Sequence, residues 1–167
     1  MPTVERQGEP CSQVPALAHP FQFRAPLIQS FAECSAFLTT EPLSCVGIWL
    51  AIEDATIENG CLFAASASHQ DGVRGRMVLD GSKAGVTWGS GKPDFSDLTL
   101  EPLEVKAGTA IVLHGSNVHG SNANTSDISR HAYSMHVVEG DGAQWLPDNW
   151  LQRPDNLPFE PLYSLVD

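Results

Sequence analysis

Short β-type runs separated by glycine-rich turns fill the chain from residue 45 onward, and this pattern constrains the fold more than any other feature. The runs cover residues 46–52, 61–65, 76–79, 99–105, 109–114 and 132–138. No stretch keeps the period of 3.6 that a long amphipathic helix would show. Glu58-Asn59-Gly60 is typical of a hairpin turn between the first two runs. Many short strands with turn signals predict a mainly β sandwich or barrel.

Length and charge narrow the class of protein. The chain has 167 residues, 42% of them hydrophobic, which suits one domain with its own core. A formal net charge of -11 with no Lys/Arg cluster argues against a nucleic-acid partner, which would require a basic face. No apolar run is long enough to span a bilayer, and no signal peptide is visible. The four cysteines form no CxxC pair and are expected to be reduced. We therefore expect a cytoplasmic protein.

The amino-terminal stretch differs from the rest in composition. Prolines recur through residues 1–30 without a helical or strand period, which predicts a mobile leader. The expected organisation is an unmatched leader over residues 1–34, followed by a β domain over residues 35–167.

The residues best suited to chemistry follow the run at 109–114. His119 comes shortly after that run, and Arg130 opens the next one. A neutral imidazole can bind a divalent metal, and a guanidinium can hold a carboxylate through two hydrogen bonds. A metal that chelates one end of a 2-oxoacid and an arginine that binds its far carboxylate would together form a 2-oxoglutarate site. The alternatives are a His119 satisfied by backbone groups and an Arg130 that is exposed or ion-paired.

Several stretches of the sequence resemble one known family. They are residues 37–38, 40–43, 47–62, 68–69, 76–78, 114–115, 118–119, 121, 126–127, 129–130, 132–133, 149–152 and 157–159. On these residues the chain resembles the phytanoyl-CoA dioxygenase family over about residues 35–163. The resemblance implies a double-stranded β-helix (jelly roll) that uses Fe(II), O₂ and 2-oxoglutarate. It also implies that His119 is an iron ligand, that Arg130 clamps the 2-oxoglutarate carboxylate and that Trp49 lines that pocket. Trp49 is equally well explained as a core residue.

The sequence departs from the family where two further iron ligands should stand. The family carries His-x-Asp just before the Phe37-Leu38 landmark, and counting back places that motif at Ala32-Glu33-Cys34. Ala32 has no donor atom, and a thiolate at Cys34 is not the hard carboxylate of a two-His-one-carboxylate site. We therefore predict a jelly roll whose amino-terminal part is missing, which keeps an oxoacid-binding corner but does not hold iron.

A literal His-x-Asp occurs later, at His69-Gln70-Asp71. In the family register it falls after the wrong strand, and ligands must be held closely by their backbone. We therefore expect no metal role for it. His114, His131 and His136 are expected to be structural or surface residues.

Three functional hypotheses remain open. The first is a family-level dioxygenase hydroxylating a small or acyl-type substrate, with this chain a truncated, inactive form. The second is a non-catalytic jelly roll that binds an oxoacid or a partner protein, and the third is a rewired metal site at His69 and Asp71. Missing amino-terminal elements would also leave a sheet face and strand edges uncovered, which predicts self-association.

Overall fold

The computed structural model describes residues 15–17, 31–82, 85–154 and 156–162. Its longest described α-helix, α1 (Cys34–Phe37), has only 4 residues, and a 3₁₀ helix covers Ser68–Asp71. The strands, in chain order, are β1 (Pro15–Leu17), β2 (Thr40–Glu41), β3 (Val46–Ala51), β4 (Leu62–Ala64), β5 (Met77–Leu79), β6 (Val86–Trp88), β7 (Glu101–Leu103), β8 (Ala110–His114), β9 (His119–Ser121), β10 (Ala132–Val137), β11 (Gln144–Trp145) and β12 (Glu160–Pro161). The predicted mainly β fold is confirmed.

Two sheets carry most of this architecture. The larger has the strand order β12-β1-β10-β3-β8, and the second has the order β7-β4-β9, with antiparallel pairing throughout. Two small pairs, β5-β6 and β11-β2, complete the strand set. Neighbouring strands within each sheet are far apart in sequence, as expected for a jelly roll. The predicted double-stranded β-helix is therefore confirmed.

Alternation along β3 determines which side chains enter the core. Gly47, Trp49 and Ala51 are buried, whereas the residues between them are only partly covered. Because side chains on a strand alternate between its two faces, the first three point inward. Trp49 and Ala51 join Ala55, Cys61, Leu62 and Leu113 in one core cluster. A second cluster contains Cys34, Leu38, Cys45 and Val138.

The turn before β4 corrects one sequence prediction. Residues 57–60 do form a turn, and Gly60 has a positive φ of 87°. However, β3 pairs with β8 and β10, whereas β4 pairs with β7 and β9. The turn therefore carries the chain from one sheet to the other and does not close a hairpin. Residues 57–60 pack against residues 122–125, since a Cβ on Gly60 would lie 2.8 Å from the Asn122 carbonyl oxygen.

The described part of the expected leader lies on the β domain. Strand β1 pairs with β10, Ala16 opposite Val137, and Ala32 forms an isolated bridge with His119 on β9. Glu33 and Cys34 are buried. Residues 1–14 and 18–30 lie outside the described residues, so the mobility expected there stays a prediction. Within the described part of the chain, no helix is long and apolar enough to cross a membrane.

Candidate functional site

His119 is held by backbone contacts at the start of β9. Its N–H donates to the Ala32 carbonyl at 3.0 Å, and the Ala32 N–H donates to the His119 carbonyl at 2.9 Å. The ring Nδ1 lies 2.8 Å from the Asn117 carbonyl oxygen. Because a carbonyl only accepts hydrogen bonds, this contact puts a proton on Nδ1 and fixes the ring's direction. The Nε2 atom is therefore the one available to another partner.

That partner is Cys34. Its Sγ atom lies 3.6 Å from His119 Nε2, and Cys34 is only 5% exposed. Ala32, two residues earlier, faces His119 through the backbone and offers a methyl group alone. The register deduced from sequence, which placed the His-x-Asp positions at residues 32–34, thus agrees with the structure, which sets these residues beside His119.

Electrostatics favour a charged pair between these two side chains. A hydrogen bond from the Cys45 thiol is the main factor that lowers the pKa of Cys34, and His119 and His136 lower it further against the effect of burial. Burial opposes charge on His119, but the hydrogen bond and the charge of Cys34 raise the pKa of the imidazole overall. The space is tight as well, since a Cβ on Gly47 would lie 3.0 Å from Cys34 Sγ. Internal contacts therefore fill this corner.

Glu33 lies between Ala32 and Cys34, and its carboxylate bonds the backbone at Arg74 and not His119. The residue is 1% exposed, and its oxygens accept hydrogen bonds from the Arg74 N–H at 3.2 and 3.1 Å. Burial raises the pKa of this carboxyl group, although the Arg74 contacts act in the opposite direction. Its hydrogen bonds fasten the loop at residue 74 to the start of α1.

The His-x-Asp at residues 69–71 has other partners. The Asp71 carboxylate forms an ion pair with Arg74 at 3.0 Å. The His69 ring packs on the His114 ring, with 5.0 Å between centroids. Among the residues that the structure describes, no group of three or more His, Cys, Asp or Glu side chains is arranged to hold a metal ion.

Arg130 and Trp49 form a second corner of the barrel. The Arg130 guanidinium carbon lies 5.7 Å from the centre of the Trp49 ring, and one terminal nitrogen reaches the Ser121 hydroxyl at a long 3.5 Å. Burial lowers the pKa of the guanidinium, and its buried Nε has no hydrogen-bond partner. Across residues 31–82, 85–154 and 156–162, no carboxylate forms an ion pair with Arg130.

Sequence reasoning missed several residues that shape both corners. Cys45 and His136 surround Cys34, and Glu53 and Asn59 bind the backbone on either side of Arg130. His136 was expected to be a structural or surface residue. Alternation could have placed it in this region, because it lies on the same face of β10 as Ser134, which pairs with Trp49. Cys45, Glu53 and Asn59 lie at strand ends or turns, where sequence spacing gives no register.

Comparison with known proteins gives a consistent result. The family model for phytanoyl-CoA dioxygenase (PhyH) matches residues 26–132. The phytanoyl-CoA dioxygenase of Arabidopsis thaliana is 44% identical over 131 residues, covering 78% of this chain and 45% of that protein. The phytanoyl-CoA dioxygenase domain-containing protein 1 of Danio rerio is 44% identical over 133 residues, covering 78% of this chain and 46% of the relative. The chain thus spans about half the length of the curated relatives it matches.

Solved structures add the fold. The carbocyclase SnoK of nogalamycin biosynthesis, described as non-haem and α-ketoglutarate dependent, superposes with a TM-score of 0.56 at 20% identity, covering 92% of this chain and 61% of that one. The α-ketoglutarate dependent epimerase SnoN gives a TM-score of 0.55 at 16% identity, covering 89% of this chain and 65% of that one. At such low identity these likenesses support the jelly roll alone.

Proposed function

The chain belongs to the phytanoyl-CoA dioxygenase family, and from that premise we propose that it binds a 2-oxoacid at Arg130 without acting by itself as an iron-dependent oxygenase. The ligand class is the one that the family resemblance implies. The observation that carries the proposal is the 3.6 Å contact between Cys34 Sγ and His119 Nε2 at the position where the family register expects iron ligands.

The donor set at that position does not fit Fe(II) of the two-His-one-carboxylate type. Such a site requires two imidazoles and a hard carboxylate oxygen converging on one ion. Here His119 is the single imidazole of the three positions, Ala32 has no donor, and Cys34 presents sulfur. The remaining carboxylate nearby, Glu33, accepts hydrogen bonds from the Arg74 N–H. We therefore derive no oxidative step through iron for this chain.

The Arg130 corner suits an organic anion. A guanidinium presents its N–H groups in a planar fork that matches a carboxylate. Partial burial strengthens such a pair, since the local dielectric is lower than in water. Within the described residues the terminal nitrogens of Arg130 make one long hydrogen bond, to Ser121, which leaves terminal N–H donors for a ligand. The Trp49 ring lies on one side of the guanidinium, which allows a cation–π contact. These two residues would bind and orient the far carboxylate of 2-oxoglutarate.

A second candidate is an active Fe(II)/2-oxoglutarate dioxygenase that hydroxylates a small or acyl-type substrate. Family membership favours it, and so does the anchored Nδ1 of His119, since metal-binding histidines usually donate their other ring N–H to an oxygen. In that case His119 would be a metal ligand and Arg130 the oxoacid clamp. This candidate needs further ligands from outside the residues that the structure describes.

Calorimetric titration of 2-oxoglutarate into the purified chain, with a metal chelator present, tests the proposal. We expect binding by the wild type and its loss in Arg130→Gln. The matched control is Arg153→Gln, because Arg153 also packs over an aromatic ring, 5.3 Å from the Phe159 centre, and also has an unpartnered buried Nε. Absence of binding by the wild type, or equal loss in both variants, would overturn the proposal. Oxygen consumption that depends on added Fe(II) would establish the second candidate.

The proposal extends to the location of the protein and to its partners. We propose a cytoplasmic location, a small-molecule ligand and self-association through the larger sheet. Strand β8 is the last strand of that sheet, and Val112 on it is 67% exposed.

A further inference from the structure

The Glu53 carboxylate forms hydrogen bonds with both neighbours of Arg130 in the chain, Ser129 and His131. Glu53 Oε1 accepts a hydrogen bond from the Ser129 hydroxyl at 2.9 Å, and Glu53 Oε2 accepts one from the His131 N–H at 2.7 Å. The same Oε2 lies 2.9 Å from His131 Nδ1. In return, the His131 carbonyl accepts the N–H groups of Ile52 and Glu53 at 3.0 and 3.3 Å. Glu53 thus holds the residue before Arg130 and the residue after it.

A buried amide braces the same segment from the other side. Asn59 is 3% exposed, and its Nδ2 donates to the Ser129 carbonyl at 3.4 Å and to the Asp54 carbonyl at 2.9 Å. Its Oδ1 accepts the Thr56 N–H at 2.7 Å. With both ends of the amide used, Asn59 ties the 54–59 turn to the peptide that leads into Arg130.

The guanidinium itself has little else to fix it. Within the described residues its contacts are the 3.5 Å bond to Ser121 and the face of Trp49, whose centre lies 5.7 Å from the guanidinium carbon. A long side chain with such weak restraints takes its position from its backbone, so the direction of the fork depends on residues 129–131. Binding sites need supporting contacts of this kind to hold a charged group within tenths of an ångström.

We infer that Glu53 and Asn59 are positioning residues that aim the Arg130 guanidinium at the far carboxylate of a 2-oxoacid. The inference rests on the proposed function, and it assigns to the turn after β3 a role in selecting dicarboxylate over monocarboxylate ligands. Glu53 acts through the backbone of residues 129–131 and does not touch the ligand.

The test compares Glu53→Gln with Asp54→Asn. Asp54 is the adjacent carboxylate, and it makes a comparable set of bonds in a different direction, to Lys106 Nζ at 2.8 Å and the Ala107 N–H at 2.9 Å. Each variant is titrated with 2-oxoglutarate and with 2-oxobutyrate, which lacks the far carboxylate, and its thermal melting is recorded. Ser129→Ala, which removes one bond to Glu53, is the milder variant should Glu53→Gln not fold.

We expect Glu53→Gln to bind 2-oxoglutarate about tenfold more weakly than the wild type, as for the loss of one charge-assisted hydrogen bond. Its affinity for 2-oxobutyrate should be unchanged, and Asp54→Asn should bind both ligands as the wild type does. Equal weakening for both ligands, or equal weakening in both variants, would show a merely structural role and overturn the inference. Wild-type affinity in Glu53→Gln overturns it too and leaves the proposed function intact. A wild type that binds no 2-oxoglutarate overturns both.

Discussion

The corner at His119 and the corner at Arg130 lie in the same barrel, yet their polar groups are used in opposite ways. The backbone and ring nitrogens of His119 itself all have partners within the chain, namely Asn117, Cys34 and the Ala32 backbone. Around Arg130 a half-buried cation keeps an unpartnered Nε and no ion pair to any described carboxylate. A buried cation without an anionic partner is costly, and under the proposed function the carboxylate of a bound oxoacid would supply that partner at the second corner.

The difference follows from where each corner draws its residues. The His119 corner depends on residues 32–34, which carry the departures from the family pattern. The Arg130 corner draws on β3, β9 and the entry to β10, where the resemblance is strong. Both corners use β3 and β9, but the departures at residues 32–34 change none of the residues that form the Arg130 corner.

The largest expected effect concerns Trp49, which serves the core as well as the Arg130 corner. It is 6% exposed and belongs to the main core cluster. Trp49→Ala should lower the free energy of unfolding by about 3–5 kcal/mol, because it leaves a large cavity. Urea denaturation measures this. A loss below about 1 kcal/mol would mean that Trp49 is not a core residue.

Restoring the two missing ligand types beside His119 should turn this corner into a metal-binding site. The double variant Ala32→His, Cys34→Asp places a second imidazole and a carboxylate beside His119. We expect Mn(II) affinity to rise at least about 100-fold over the wild type, since converging hard donors determine affinity for such ions. Calorimetry with Mn(II) measures the change. Adding His69→Ala and Asp71→Ala should leave this gain intact, and a gain that disappears would support the rewired site instead.

A pH effect is expected from Glu33. Burial raises its pKa above the ordinary value of 4.5, so the fold favours the protonated carboxyl group. The protonated carboxyl group contributes its full stability at pH values below the pKa of Glu33 in the unfolded chain. That contribution is lost as the pH rises through the higher pKa of Glu33 in the folded protein. Glu33→Gln keeps an acceptor for the Arg74 N–H without the charge. Its melting temperature relative to the wild type should therefore increase with pH from about 4 upward, and a difference that is constant with pH would contradict the raised pKa.

The smallest effect is expected at the sheet edge. Val112→Lys should suppress concentration-dependent self-association, because a charge on an edge strand opposes pairing with another copy. The stability of the single chain should change by no more than about 0.5 kcal/mol. Sedimentation measures the association. Val86→Lys, at a residue 50% exposed on β6, is the control. A wild type that stays monomeric at high concentration would remove the basis for this prediction.

Much of the fold could be predicted from local pattern. The runs at 46–52, 109–114 and 132–138 correspond to β3, β8 and β10, whose alternation and β-branched content are strong signals. Strand β6 was missed, because Gly85 and Gly89 frame a run of three residues. The turn before β4 was predicted as a hairpin because turn chemistry is local, whereas the pairing of β4 with β7 and β9 is decided by distant residues.

The candidate site divides in the same way. His119, Arg130 and Trp49 could be identified from the resemblance, and the structure sets Cys34 beside His119 as the register implied. Their roles as metal ligand, oxoacid clamp and pocket lining stay predictions. The Glu53 carboxylate bonds Ser129 and His131, which are far away in sequence. It could not be connected to Arg130 from sequence, because these residues meet only once β3 and β10 have paired.

The most direct test of whether the two corners are independent is the affinity for 2-oxoglutarate measured by calorimetry in a chelator and again in saturating Mn(II). The account predicts the same dissociation constant in both, since Arg130 binds the far carboxylate and no metal holds the other end. A dissociation constant that falls tenfold or more with Mn(II) would show that metal and oxoacid share one site, and it would contradict the account.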